Sequence, residues 1–212
     1  MAIESKYSIV VVFYIVLTGL IGCGRKGNSC ADTTFTFQTG LKAYPDKDSI
    51  RIGDTIWYET TIPVSLADIA SKQVIDYSGA TNLGTVFSIQ KLIGGSVADP
   101  GTVPAAGDFK YILVTGRDVT NSFFERNREY LFAEVNKQYL FKLGIVAQKK
   151  GIYFSAMDNP RNVYRNTDKC TKATYLINFE NTKQHLYLYQ DNRPGYKIEG
   201  VELTNTYCFK VY

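Results

Sequence analysis

Apolar and polar residues alternate with a period of two along most of the chain after its first thirty residues. Thr34-Phe35-Thr36-Phe37-Gln38 places both phenylalanines on one face of a strand. Similar alternation, rich in β-branched and aromatic residues, runs through residues 55–62, 85–92 and 139–146. About ten such segments, separated by turn residues, predict an all-β antiparallel fold. One buried face per sheet favours a β-sandwich, and a small β-barrel is the alternative.

Three segments need a choice between helix and strand. Residues 127–136 fit either period, and we favour strand because Asn136-Lys137-Gln138 has the composition of a hairpin connection. Residues 66–70 are predicted as a short helix capped by Ser65, with Asp68 three residues further on. Residues 185–189 are predicted as a strand that begins at His185.

Two short stretches resemble immunoglobulin-like domains. Ile52-Gly53-Asp54-Thr55-Ile56 is similar to the entry to an early strand, and Lys150-Gly151-Ile152-Tyr153 is similar to the approach to a tyrosine corner. The paired core cysteines and following tryptophan of that family are absent from the expected spacing. The resemblance implies an immunoglobulin-like or related sandwich.

The beginning of the chain has the layout of an export signal. A short polar start precedes an uncharged apolar run over residues 9–17, which continues to Leu20-Ile21-Gly22-Cys23. The apolar stretch of about 14 residues is shorter than the roughly 20 that a membrane-spanning helix needs. The last four residues resemble the lipobox of bacterial lipoproteins. This resemblance implies cleavage after Gly22 and a diacylglyceryl group on Cys23.

The lipobox resemblance also implies how the chain is organised. Residues 1–22 would be the signal peptide, 23–32 a flexible tether and 33–212 a single β-sandwich domain. Acyl chains on Cys23 would make the membrane a partner of the protein and place it in the bacterial cell envelope. Because Gly24 rather than aspartate follows Cys23, outer-membrane attachment is favoured, with the periplasmic or surface face left open.

Three further cysteines would remain in an oxidising compartment. Cys170 precedes one predicted strand and Cys208 lies in the last one, which favours a Cys170–Cys208 disulfide. A bridge from Cys30 to either of them stays open.

The charge and the motifs of the sequence favour neither nucleic-acid binding nor catalysis. The net charge is only +4, with basic residues scattered along the chain, so no nucleic-acid partner is expected. The only histidine is His185, and neither a nucleophile motif nor a phosphate loop is present. We therefore assign no catalytic residue, cofactor or metal ligand. An envelope hydrolase that uses paired carboxylates is the least favoured interpretation. Its candidate catalytic residues are Glu59, Glu125, Glu129, Glu134 and Asp191.

Aromatic residues are the clearest compositional signal, with 16 tyrosines, 12 phenylalanines and one tryptophan. If Leu186 and Leu188 point inward from a strand, Tyr187 and Tyr189 point outward, and Trp57 lies opposite the apolar Ile56. Exposed aromatic rings of this kind bind sugars or protein partners. The sequence thus predicts a lipid-anchored, non-catalytic binding or structural module. A carbohydrate-binding or adhesion lipoprotein that uses Trp57, Tyr187 and Tyr189 is the alternative.

Overall fold

The structure is a computed structural model and describes residues 33–94, 101–121, 127–180, 182–192 and 204–212. The predicted signal peptide and tether, with Gly22, Cys23 and Cys30, lie outside these residues, as does Glu125. The strands are β1 Thr33–Tyr44, β2 Ser49–Ile50, β3 Thr55–Pro63, β4 Ser65–Ala67, β5 Val74–Asp76, β6 Gly84–Leu92, β7 Thr102–Pro104, β8 Phe109–Thr115, β9 Arg117–Asp118, β10 Asn127–Leu131, β11 Ala133–Val135, β12 Gln138–Ala147, β13 Gly151–Met157, β14 Val163–Arg165, β15 Asp168–Phe179 and β16 Thr206–Val211. A 3-10 turn spans Ala106–Asp108 and a short α-helix spans Tyr187–Asn192.

Two seven-stranded sheets pack as a sandwich, which confirms the predicted all-β fold. The first sheet has the order β11-β12-β3-β1-β15-β14, with β8 also paired to β12. The second has the order β2-β16-β13-β6-β10-β9, with β7 also paired to β6. Pairing is mainly antiparallel, but β1 with β15 and β16 with β2 are parallel. A separate hairpin joins β4 and β5.

The core lies between the two sheets and is rich in aromatic residues. Tyr58 on β3 is fully buried and packs edge-on against Phe87 on β6, with ring centroids 5.0 Å apart. The Tyr58 hydroxyl lies 2.6 Å from Ser155 Oγ on β13, so a buried hydrogen bond ties the first sheet to the second. Burial raises the pKa of Tyr58 well above its ordinary value, which keeps its hydroxyl protonated.

Strand β1 pairs with two different strands of the first sheet along its length. It runs parallel to β15 from Thr33, opposite Thr171, to Leu41, opposite Phe179. Its last residues, Lys42–Tyr44, pair with β3 instead. At about 3.3 Å per residue, the two ends of β1 are roughly 36 Å apart.

Two of the three local predictions are wrong and one is confirmed. Residues 65–70 do not form a helix, because Ser65–Ala67 is the strand β4. Asp68 instead accepts the Thr36 N–H at 2.8 Å and the Ser71 N–H at 2.7 Å, and so joins this segment to β1. Residues 185–189 do not form a strand, because the helix begins at Tyr187. Strand structure in residues 127–136 is confirmed by β10 and β11.

Tyr153 forms the contact that defines a tyrosine corner. Its hydroxyl lies 3.1 Å from the Lys149 carbonyl oxygen, 3.2 Å from that of Lys150 and 3.0 Å from Asp108 Oδ2. The contact closes the turn between β12 and β13. No helix among the described residues combines the length and apolar character needed to cross a membrane.

Candidate functional site

The single tryptophan lies on the outer face of the first sheet. On β3, Ile56 and Tyr58 point into the core, so Trp57 points away from it. Its cross-strand neighbours are Tyr44 on β1 and Gly144 on β12. A Cβ atom at Gly144 would lie 2.7–3.0 Å from three atoms of the six-membered indole ring. Because Gly144 has no side chain, the indole can cover β12 at this position. The side chain of any larger residue would clash with the ring.

Charged groups surround this ring. Lys142 Nζ lies 5.6 Å from the Trp57 ring centroid and 5.4 Å from that of Tyr44. It also lies 3.3 Å from the Glu59 carboxylate, which accepts the Tyr44 hydroxyl at 2.6 Å. We call Tyr44, Trp57, Glu59 and Lys142, with Gly144 beneath the indole, the Trp57 face.

The electrostatics of the Trp57 face keep its ion pair charged at neutral pH. The hydrogen bond from Tyr44, followed by the contact with Lys142, lowers the pKa of Glu59. The contacts with Tyr44 and Glu59 raise the pKa of Lys142. The face thus presents two half-buried aromatic rings beside an ammonium and a carboxylate that hold each other in place.

Apolar side chains extend this surface towards the edge of the sheet. Ile112 on β8 lies opposite Gly144, and Val114 follows on the same face of β8. Ile112 is 37% exposed and Val114 is 56% exposed. A ligand on the Trp57 face could therefore bury further apolar area along β8.

A polar cleft of about 290 Å³ adjoins the Trp57 face and is lined by two carboxyl groups. Glu59 and Glu180 both line it. A glycosidase needs one carboxyl group with a raised pKa as its general acid, whereas the pKa of Glu59 is lowered. Another candidate carboxylate, Glu134, accepts the Gly79 N–H at 2.8 Å. These contacts favour structural roles for Glu59 and Glu134.

A larger groove of about 520 Å³ involves β6 and β10 of the second sheet. We call it the second-sheet groove. It combines apolar residues with amide, carboxylate and guanidinium side chains. Its lining residues are Asn82, Gly84, Thr85, Val86, Val119, Glu129, Tyr130, Leu131, Asp158, Asn159, Pro160, Arg161 and Asn205.

The predicted platform of Trp57, Tyr187 and Tyr189 is not assembled. Tyr187 is 46% exposed and its hydroxyl donates to Asp48, whereas Tyr189 is only 8% exposed and packs against Phe154. The prediction that both tyrosines point outward is wrong, because a helix does not alternate its faces as a strand does. Neither tyrosine makes a ring contact with Trp57 in the part of the chain that the structure describes.

The neighbours of Trp57 were missed because they come from other strands. Tyr44 and Lys142 are far from Trp57 in sequence, and only strand register brings them together. A weak signal was available in Gly144, because a glycine in the interior of a strand often marks a close approach of another group.

The favoured disulfide is also wrong. Cys208 on β16 is buried with a free thiol, so it is not bridged to Cys170. Burial raises the pKa of the Cys208 thiol to about 12, which leaves it protonated and unreactive at neutral pH. The alternative pairing of Cys30 with Cys170 involves a residue outside the described ranges and stays a prediction.

His185 and two neighbouring acids hold a loop in place. Asp46 accepts the Lys183 N–H at 3.0 Å and lies 3.1 Å from His185 Nε2. Asp48 accepts the Tyr187 hydroxyl. Among the described residues, no cluster of histidine, cysteine, aspartate and glutamate could hold a metal ion.

Comparison with known proteins identifies no family. Neither a known protein family nor a curated protein matches the chain. Among solved structures, it is similar to the serine-rich repeat adhesion glycoprotein Srr1 from Streptococcus agalactiae, with 14% sequence identity and a TM-score of 0.21. The match covers 64% of this chain and 44% of the adhesin chain, so the chain spans less than half of that length. At this TM-score the likeness carries no argument about function.

Proposed function

We propose that this chain is a lipid-anchored, non-catalytic binding module of the bacterial cell envelope that holds a carbohydrate on the Trp57 face. The observation that carries the proposal is the indole of Trp57 lying across Gly144, beside Tyr44 and the Lys142–Glu59 ion pair. Cysteine acylation at Cys23 supplies the anchor in this proposal.

The chemistry of a sugar ring matches this arrangement. A pyranose has a face of C–H groups that packs against an aromatic ring, and a rim of hydroxyls that needs donors and acceptors. Trp57 and Tyr44 offer rings, Lys142 offers a donor and Glu59 offers acceptors. Because the polar groups already hold one another in place, binding immobilises few side chains.

The predicted tether would join the domain at Thr33, and Tyr44 lies at the opposite end of β1. The two residues are separated by roughly 36 Å of strand. A glycan bound on the Trp57 face would therefore lie at the end of β1 far from the residue that the predicted tether joins.

A fluorescence titration tests carbohydrate binding, since Trp57 is the only tryptophan. The probes are soluble oligosaccharides of glucose and of N-acetylglucosamine, and the expected result is a change in tryptophan emission that saturates with ligand. Tyr44→Ala should weaken binding by about tenfold, as expected for the loss of a stacked ring. Tyr212→Ala, which removes a 51% exposed ring elsewhere, is the matched control and should bind as the wild type does. Unchanged emission with every oligosaccharide would contradict carbohydrate binding.

Metabolic labelling with an alkyne fatty acid tests the anchor. Cys23→Ser should abolish labelling and release the protein from membranes, because the thiol that carries the acyl chains is lost. Ser29→Ala, a substitution in the same predicted tether, should retain both. Continued labelling of Cys23→Ser would reject this part of the proposal.

A protein partner is the second candidate ligand, favoured by the exposed Ile112 and Val114 beside the Trp57 face. Val114→Lys should then block recruitment of an envelope protein in a crosslinking assay. Oligosaccharide binding at Trp57 should survive the same substitution.

A further inference from the structure

The second-sheet groove is separate from the Trp57 face and has a chemistry of its own. We propose that it binds a short peptide that carries both an ammonium and a carboxylate group. Glu129 and Asp158 would pair with the ammonium, and Arg161 would pair with the carboxylate. The proposal does not depend on carbohydrate binding, because the groove lies on the other sheet.

The size and apolar lining of the groove suit a short peptide. Its volume of about 520 Å³ falls within the roughly 300–1,000 Å³ of typical small-ligand sites. Val86, Val119 and Leu131 line it, and Val119 is 37% exposed. These side chains can contact the apolar parts of a peptide. A single small ion would have no apolar part for them to contact.

Three asparagines hold the groove in a fixed shape. Asn82 accepts the Tyr164 N–H at 3.0 Å, and Asn159 accepts the Ile177 N–H at 2.7 Å. Asn205 donates to the Met157 carbonyl oxygen at 2.8 Å. Because these amides are already committed to the backbone, the walls are preorganised for a ligand.

The charged side chains of the groove are uncommitted. Across the described residues, the side chains of Glu129, Asp158 and Arg161 make no ion pair or hydrogen bond. By contrast, Arg128, a neighbour of Glu129 on β10, is paired with Asp118 at 3.5 Å. The groove therefore leaves two negative charges and one positive charge available to a ligand.

This set of charges selects among ligand classes. A neutral sugar would leave all three charges unpaired as they lose water, which costs free energy. A nucleic acid would meet two carboxylates and one guanidinium, an unfavourable balance for phosphates. A ligand with charges of both signs pairs with all of them, and Arg161 can hold a carboxylate with two hydrogen bonds.

Isothermal titration calorimetry with the mature chain tests the proposal. The probes are Ala-Lys-Glu-Ala and Ala-Glu-Lys-Ala with blocked termini, and their uncharged analogue is Ala-Met-Gln-Ala. We expect both charged peptides to bind at least about tenfold more tightly than the analogue, as expected for charge-assisted hydrogen bonds. Arg161→Gln, Asp158→Asn and Glu129→Gln should each weaken binding by about fivefold or more.

Two controls make the outcome decisive. Lys110→Gln changes an exposed charge on β8 of the other sheet and should leave peptide binding unchanged. The three groove variants should keep the wild-type thermal midpoint, because each altered side chain makes no contact that folding requires. Equal affinity for charged and uncharged peptides, binding unaffected by the groove variants, or no binding up to about 10 mM would overturn the proposal.

Discussion

A disulfide between Cys30 and Cys170 is the prediction with the largest expected effect on stability. Cys208 is buried with a free thiol and is excluded as a partner. The parallel register places Thr33 opposite Thr171, so Cys170 sits beside the point where the chain enters β1. Cys30 precedes Thr33 by three residues, and three extended residues reach about 10 Å. The bridge would pin the predicted tether to β15.

The size of the effect follows from the loop that the bridge closes. Cys30 and Cys170 enclose about 140 residues, for which the chain-entropy model gives about 5 kcal/mol of stabilisation. Native disulfides in small secreted domains contribute about 2–5 kcal/mol. A domain of about 180 residues unfolds with an entropy near 0.38 kcal/mol per kelvin, so the thermal midpoint should fall by about 5–13 °C without the bridge.

Thermal unfolding followed by circular dichroism measures this change on exported protein. Cys170→Ser and Cys30→Ser should lower the midpoint equally, and the double variant should fall no further, since either change opens the same loop. A reducing agent should lower the wild-type midpoint and leave that of the variants unchanged. Mass spectrometry showing free thiols at both positions, or a midpoint for Cys170→Ser within about 2 °C of the wild type, would refute the bridge.

Three further predictions concern the sandwich itself. Gly84→Ala should destabilise the fold by about 1–3 kcal/mol in urea unfolding, because the added Cβ would meet a backbone oxygen of β10, whereas Gly107→Ala meets nothing within 4 Å and should cost little. Tyr58→Phe should cost about 1–2 kcal/mol by removing the buried hydrogen bond to Ser155; an unchanged urea midpoint would show that this bond contributes nothing. Asp168 has a pKa lowered to about 2, first by a hydroxyl hydrogen bond and then by a backbone N–H. Its stabilising contribution is therefore complete above about pH 4 and is lost as the pH falls towards 2, so urea midpoints of Asp168→Asn should vary less than those of the wild type between pH 2 and 6.

The sequence by itself determined the fold class, because the signal is local. Alternation in β1, β3 and β12 shows directly which residues must be buried together. The same local reading failed at residues 65–70 and 185–189. There the segments are short, and contacts with distant elements, such as that of Asp68 with β1, compete with intrinsic preference.

Only the tertiary structure decided which side chains meet. Trp57 was recognised as outward-facing, but its pairing with Gly144 and Lys142 depends on the register between β3 and β12. That Cys208 on β16 is buried and carries a free thiol is likewise a property of the packed structure. The second-sheet groove is lined by residues from five separate parts of the chain. The whole core sets strand register and packing. A period of two in the sequence predicts which face of a strand a residue occupies, but not which residues of other strands lie beside it.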